Sequence, residues 1–320
     1  MTMPLNHTAM AAAMVAQTTV TEVVKAHAKV VVLIVVLCIY FAKKSRASKS
    51  EEGQPMTETV VEAGNQTPAV AADWLELPGA VSDSDYEVET YYDASVRNYT
   101  HLYDKETYTS LWTAYPLSAS YMGDEPRPGK WLYSTSIDED DQVNLKYHSY
   151  NDSYARGHMI PNASRDGNKN MQMQTFFVTN SVPQIQSSFN SGIWSRLEKA
   201  LQDIGWKEEI YIVTGVAFNK KGEDKPIAYT TAKDDTKQVP IPNYFYKVVL
   251  RVKKTDDRVT SASTIGFWME HRKYSDSYHN YTVSVDQIEQ WTGMDYFVNL
   301  PDSVEDSAET NSSWSAFQMF

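Results

Sequence analysis

Three apolar runs in the second half of the chain limit what it can fold into. "EIYIVTGV" (209–216), "YFYKVVLRV" (244–252) and "ASTIGFWM" (262–269) are β-branched and aromatic and are bounded by turn-forming residues, which predicts strands. "TFFVTN" (175–180) has the same character and predicts another. Two helices are expected among them. "NSGIWSRLEKALQDIG" (190–205) puts Ile193, Leu197, Ala200, Leu201 and Ile204 on one arc. "SVDQIEQWTG" (284–293) has Ser284 and Gln287 in capping-box positions and stops at Gly293. Strands and helices do not alternate as repeating βα units, so the expected fold class is α+β. No internal repeat and no phosphate-binding glycine pattern is present.

Charge and apolar clustering divide the chain. Of 320 residues with a net charge of −12, residues 51–110 hold thirteen acids against two bases, and residues 302–320 hold four acids and no base. The remainder is not anionic, so a polyanionic substrate stays open. Residues 1–23 read as a polar N-terminal segment. Residues 24–42, ending in "VVVLIVVLCIYFA", read as a transmembrane anchor or a signal segment. Residues 43–90 read as a flexible acidic linker, 91–302 as the folded domain and 303–320 as a polar tail, with Trp314, Phe317 and Phe320 able to dock. Cys38 is the lone cysteine, which excludes an intrachain disulfide and a cysteine-rich zinc site.

The candidate chemistry lies in "YARGHMIPNASR" (154–165). Gly157 permits close backbone approach, and Pro161 and Asn162 mark the chain leaving a regular element, so His158 belongs at a strand end or turn. Such a histidine is either a catalytic base or a packed imidazole. Downstream, Asn190, Trp194 and Glu198 stand at i, i+4 and i+8, a slanted edge beside the apolar arc. Asn190 also fits a helix cap, and Glu198 also fits a solvated face. Arg196 lies roughly opposite Glu198 by the same angular count. His101, His148, His271 and His279 have no motif around them and read as structural or exposed. Arg165 and Lys169 read equally well as phosphate contacts or as solvated charges.

Taken together, "ARGH" (155–158), "TNSVPQ" (179–184) and "NSGIWSRLE" (190–198) resemble the DNA/RNA non-specific endonucleases, the ββα-metal nucleases of the Serratia type and of the endonuclease G type. The resemblance continues through "VPIPNYFYKVVL" and "YTVSVDQIEQWTGMDYFVNLPD" and spans about 95–302. It implies a central, mainly antiparallel sheet flanked by helices. It implies metal-dependent hydrolysis of phosphodiester bonds in DNA and RNA, with His158 as general base. Asn190 would hold one Mg²⁺ (or Mn²⁺), and Glu198 would fix water around that ion. Arg156 would bind phosphate or brace the site, and Asn180 would pin it through hydrogen bonds. Arg127, with Lys130 as substitute, and Arg196 are the further substrate-binding candidates. Two positions depart from the family pattern: Ala155 stands where an aspartate is usual, and Gln202 where an arginine often sits.

A degenerate relative that binds nucleic acid without cutting it is the alternative, and an adhesion or scaffold domain is a third. The resemblance leaves room for a homodimer. The basic residues around the apolar run, Lys25 and Lys29 before it and Lys43, Lys44, Arg46 and Lys49 after it, slightly favour a cytoplasmic C-terminal part. A non-specific nuclease is better kept apart from the cell's own genome. The expected location is therefore outside the cytoplasm, anchored in the membrane or secreted.

Overall fold

The computed structural model describes residues 74–81 and 85–320. Three antiparallel strands come first: β1 (Tyr86–Asp93), β2 (Val96–Asp104) and β3 (Thr109–Leu117). A separate two-stranded ribbon follows, β4 (Tyr154–His158) and β5 (Ser181–Ile185), with helix α1 (Lys169–Gln174) between its strands and α2 (Ser195–Gly205) after them. β6 (Ile210–Ala217) returns to the main sheet, and β7 (Tyr229–Thr230) and β8 (Val239–Pro240) make a short side pair. β9 (Tyr244–Thr255), β10 (Arg258–Glu270) and β11 (Thr282–Val283) complete a seven-stranded antiparallel sheet of order β1-β2-β3-β6-β9-β10-β11. Helices α3 (Val285–Thr292), α4 (Asp302–Glu309) and α5 (Trp314–Met319) close the chain.

The sheet is covered on both faces. Along β6, Ile210 and Ile212 point to the side of Leu197 and Leu201 from α2, while Tyr211 and Val213 point to the side of Ile288 from α3. Each large apolar side chain so buried is worth about 1.5–3 kcal/mol. A strand buried on both faces needs no alternation, which is why its sequence reads as an unbroken apolar run. The fold is α+β, as expected. The expected strands at 209–216, 244–252 and 262–269 are β6, β9 and β10. Helix α3 begins where Ser284 Oγ accepts the Gln287 N–H at 3.2 Å and ends at Gly293, whose φ is 75°. The reciprocal half of the capping box is absent among the described residues, and the Gln287 side-chain N–H donates to Gln290 Oε1.

Several expectations are corrected. Residues 175–180 form a turn and a short 3-10 helix (Val178–Asn180), not a strand, with the Asn180 side chain donating to Thr175 O at 2.8 Å and Ile160 O at 3.1 Å. The helix expected from residue 190 begins at Ser195. Ser188 at φ 65° and Gly192 at φ −126°, ψ −110° prevent regular helix before it. The linker expected over 43–90 gives way to order before residue 91. Leu75 is buried, Glu76 pairs with Arg97 at 2.6 Å, and β1 starts at Tyr86. The tail expected to be polar forms α4 and α5, with Phe317 buried against the sheet. The transmembrane expectation finds no support among the described residues. No helix among the described residues is long and apolar enough to cross a membrane, and the apolar run of 24–42 lies outside the described residues.

Candidate active site

The ribbon sets His158. β4 and β5 pair with Gly157 opposite Val182 and His158 opposite Ser181. The Gln184 side chain lies where a Cβ on residue 157 would sit, so only glycine lets the two strands close. Two-residue periodicity then puts Arg156 and His158 on the same side of β4. Asn180 fixes the exit of that strand. Its Oδ1 accepts the Ile160 N–H at 3.0 Å, its amide donates to Ile160 O, and its own carbonyl accepts the Met159 N–H. Asn180 is fully buried and does not line the cleft, so it braces the site from below. His271 holds the other end of the ribbon: its Nε2 accepts the Ile185 N–H at 2.8 Å while Nδ1 donates to Pro242 O. Burial keeps that imidazole neutral, pushing its pKa down to about 4.

His158 sits between aromatic rings, with Trp131 at 4.7 Å and Phe176 at 4.9 Å between centroids. Burial first, then the Arg127 and Arg156 guanidinium groups, push its pKa down to about 3. The ring is therefore neutral throughout the physiological range. Its Nε2 is buried with no partner among the described residues. Arg156 donates to Leu145 O at 2.7 Å and lies over the Trp131 ring, so part of its donor fork is spent on bracing.

The opposite components come from the segment after β5. Residues 186–194 wind irregularly, and Asn190 projects from this stretch rather than from α2. The helical i, i+4, i+8 edge is thus replaced by a different arrangement. Trp194 is buried in the core, while Asn190 and Glu198 both line the cleft. The Asn190 amide donates to Gln186 Oε1 at 3.0 Å, which leaves Oδ1 without a partner among the described residues. That oxygen and the Glu198 carboxylate line one cleft, and oxygen donors of this kind suit a hard divalent cation.

Beneath Glu198 lies a residue that sequence reasoning missed. Lys247 on β9 is fully buried, its Nζ 3.7 Å from Glu198 Oε1 and 2.6 Å from Thr214 Oγ1, over the Trp194 ring at 4.7 Å. Burial pushes the Glu198 carboxyl up and the Lys247 ammonium down, and each restrains the shift of the other. A lysine inside "YFYKVVLRV" was the available signal, since such a strand does not bury a cation without a counter-charge.

The cleft encloses about 830 Å³. It brings together Arg127, Arg156, His158, Asn190, Glu198 and Gln202, with Lys199 as an unforeseen cation. Arg196 is not brought there. Two residues along α2 from Glu198 it points away, and it donates to Asp276 O at 2.9 Å. Arg165 is also not a phosphate contact or a solvated charge: it is fully buried and donates to Asn98, Ser164 O and Pro116 O.

Residues 84–303 match the model of the DNA/RNA non-specific endonuclease family. The chain belongs to that family. It is 23% identical over 235 residues to Nuclease 1, mitochondrial, of Schizosaccharomyces pombe, covering 70% of this chain and 69% of that one. It is 25% identical over 215 residues to Nuclease EXOG, mitochondrial, of Danio rerio, covering 63% of this chain and 60% of that one. It is 26% identical over 223 residues to a nuclease of Nostoc sp., covering 66% and 75%. The solved structure of EndoG in complex with EndoGI has the same fold, with a TM-score of 0.55, 19% identity, and coverage of 67% of this chain and 88% of that chain. Neither a membrane partner nor a homodimer follows from these similarities.

Against the non-specific endonuclease pattern, the two departures fall in the cleft. Ala155 lines it opposite Gln184 in the ribbon, and Gln202 reaches Ser164 Oγ at 3.4 Å. Lys199 is three residues before Gln202 on the cleft side of α2, although it is exposed and pairs with Asp203.

Proposed function

We propose that this member of the family is a divalent-metal-dependent endonuclease that hydrolyses phosphodiester bonds in both DNA and RNA. The observation that carries this reading is a neutral His158 facing a cleft whose cations are Arg127, Arg156 and Lys199 and whose oxygen donors are Asn190 and Glu198.

His158 takes a proton from the attacking water as the new O–P bond forms and the P–O3′ bond opens. Arg127 and the free part of the Arg156 guanidinium hold the phosphate oxygens. Asn190 Oδ1 would be the protein ligand for one Mg²⁺ or Mn²⁺, which when bound would supply charge relief at the phosphate and the leaving oxygen. Glu198, held in place by Lys247, orients water in the cleft. Contacts of this kind reach phosphate rather than base or sugar, so cleavage is non-specific and binding weakens with salt. Such an activity favours a location outside the cytoplasm.

The test is cleavage of plasmid DNA and of RNA by the full chain, with Mg²⁺ or with EDTA, beside His158→Ala. The expected outcome is metal-dependent cutting of both substrates that falls by about 10²–10⁴ in the variant, with the melting profile retained. Cutting by His158→Ala at the parent rate overturns the mechanism. Binding of both nucleic acids by the parent without any cutting favours instead a degenerate binding module, for which the Ala155 and Gln202 departures are the specific motive.

A further inference from the structure

Away from the cleft, a group of carboxylates gathers where α4 meets α3. Asp286 and Glu289 stand one turn apart on α3, Asp295 follows in the next loop, and Glu305 lies on α4. Glu309, the last residue of α4, points into this group. It is 5% exposed, and its Oε1 is buried with no partner among the described residues. The Glu305 Oε1 is buried and unpartnered in the same way. The C-terminus of a helix is the unfavourable end for an anion, so the position of Glu309 on α4 compounds its isolation.

No compensating charge is present among the described residues. The charged groups acting on Glu309 are Glu289, Glu305, Asp286 and Asp295, all carboxylates, and no ion pair among the described residues includes any of the five. Burial and this crowding push the Glu309 carboxyl up to about 9. Leaving such a group uncompensated is costly, and a bound cation removes the cost.

We propose that Asp286, Glu289 and Glu309 form a second divalent-cation site, of the calcium class, that fastens α4 onto α3. Ligand oxygens of the three lie within 4.8 Å of one another. A Ca²⁺ ion holds its oxygens at about 2.3–2.6 Å, so two ligands on opposite sides of it stand at most about 5 Å apart, which this spacing satisfies. Glu289 also accepts the Tyr296 N–H at 2.8 Å, which fixes that carboxylate in the group. Glu309 lies past residue 303, where the family match ends. The site therefore ties a stretch outside that match to a helix within it. It does not rest on the nuclease reading.

The test titrates Ca²⁺ into the EDTA-stripped full chain by calorimetry and by thermal melting, with Asn190→Ala, Glu309→Gln and Asp286→Asn beside the parent. The expected result is Ca²⁺ binding by the parent and by Asn190→Ala, each melting roughly 5–10 °C higher at a hundredfold excess over Kd. Glu309→Gln loses both the binding and the shift. Asp286→Asn, at a more exposed position, binds at least tenfold more weakly and serves if Glu309→Gln does not fold. An equal Ca²⁺ shift in the parent and in both acidic-cluster variants overturns the proposal. So does the absence of Ca²⁺ binding by Asn190→Ala, which would mean that the cluster holds a proton rather than a cation.

Discussion

Glu198 and Glu309 are both carboxylates sunk against the central sheet, and their surroundings are opposite. Glu198 packs on the face that carries Leu197 and Leu201, with the buried ammonium of Lys247 beneath it. Glu309 packs beside Thr264 and α3 on the other face, among four further carboxylates. Burial raises both. What separates them is a counter-charge: Glu198 has one in Lys247, and Glu309 has none among the described residues. A carboxylate of the first kind can stay ionised and work in a cleft. One of the second kind must hold a proton or recruit a cation from solution.

Removing the counter-charge should turn the first situation into the second. Lys247→Met leaves Glu198 buried and alone, and we expect a loss of about 3–5 kcal/mol in urea unfolding. Adding Glu198→Gln to that variant should restore most of the loss, since two neutral groups need no compensation. A Lys247→Met protein as stable as the parent would show that the pair is not coupled.

Glu309 offers the converse experiment. Its folded pKa of about 9 lies above the unfolded value of 4.5, so the native state binds a proton that the unfolded chain releases. Stability from this group is fully present below pH 4.5 and is lost as pH rises through 9. In EDTA the parent should lose about 3 kcal/mol more than Glu309→Gln between pH 6 and pH 8. Equal slopes for the two proteins would remove Glu309 from the account.

A smaller effect of opposite sign comes from His101. Burial pushes this imidazole down to about 3, below the ordinary 6.5, so the unfolded chain takes up a proton that the native state refuses. Its contribution is complete above pH 6.5 and declines as the pH falls toward 3. At pH 5 the decline is about 2 kcal/mol, and His101→Phe should abolish it in acid unfolding curves. If the variant's acid limb follows the parent's, another group governs that limb.

How much of this was readable in advance depended on distance along the chain. His158, Gly157 and Arg156 are neighbours on one strand, and the strand's periodicity alone puts the base and the guanidinium on one side. β6, β9 and β10 were legible because a strand buried on both faces needs only an apolar, β-branched run. Asn190 was assigned to the cleft but to the wrong local geometry, because helical spacing was extended through Gly192 and the serines around it, which the backbone does not follow. Lys247 and Glu198 are 49 positions apart in sequence, and no local pattern links them. The same holds for Glu309 and the acids of α3, whose meeting is decided by where α4 docks. Arg196 shows the local rule working: the helical count sets it roughly opposite Glu198, and the structure turns it outward to Asp276 O.

The β4–β5 ribbon shares no main-chain ladder with the seven-stranded sheet. It is moored to that sheet by His271, which reaches the Ile185 N–H, and by the packing of Val182 in the core it shares with β6 and β9, while Asn180 ties its other end to Ile160 and Thr175. Such an attachment separates two kinds of inheritance. Drift in the outer strands, their lengths or their twist need not disturb the histidine's bearing, so long as the two moorings persist. The large sheet can thus be rebuilt over generations while the small ribbon, and the chemistry it carries, stays the same.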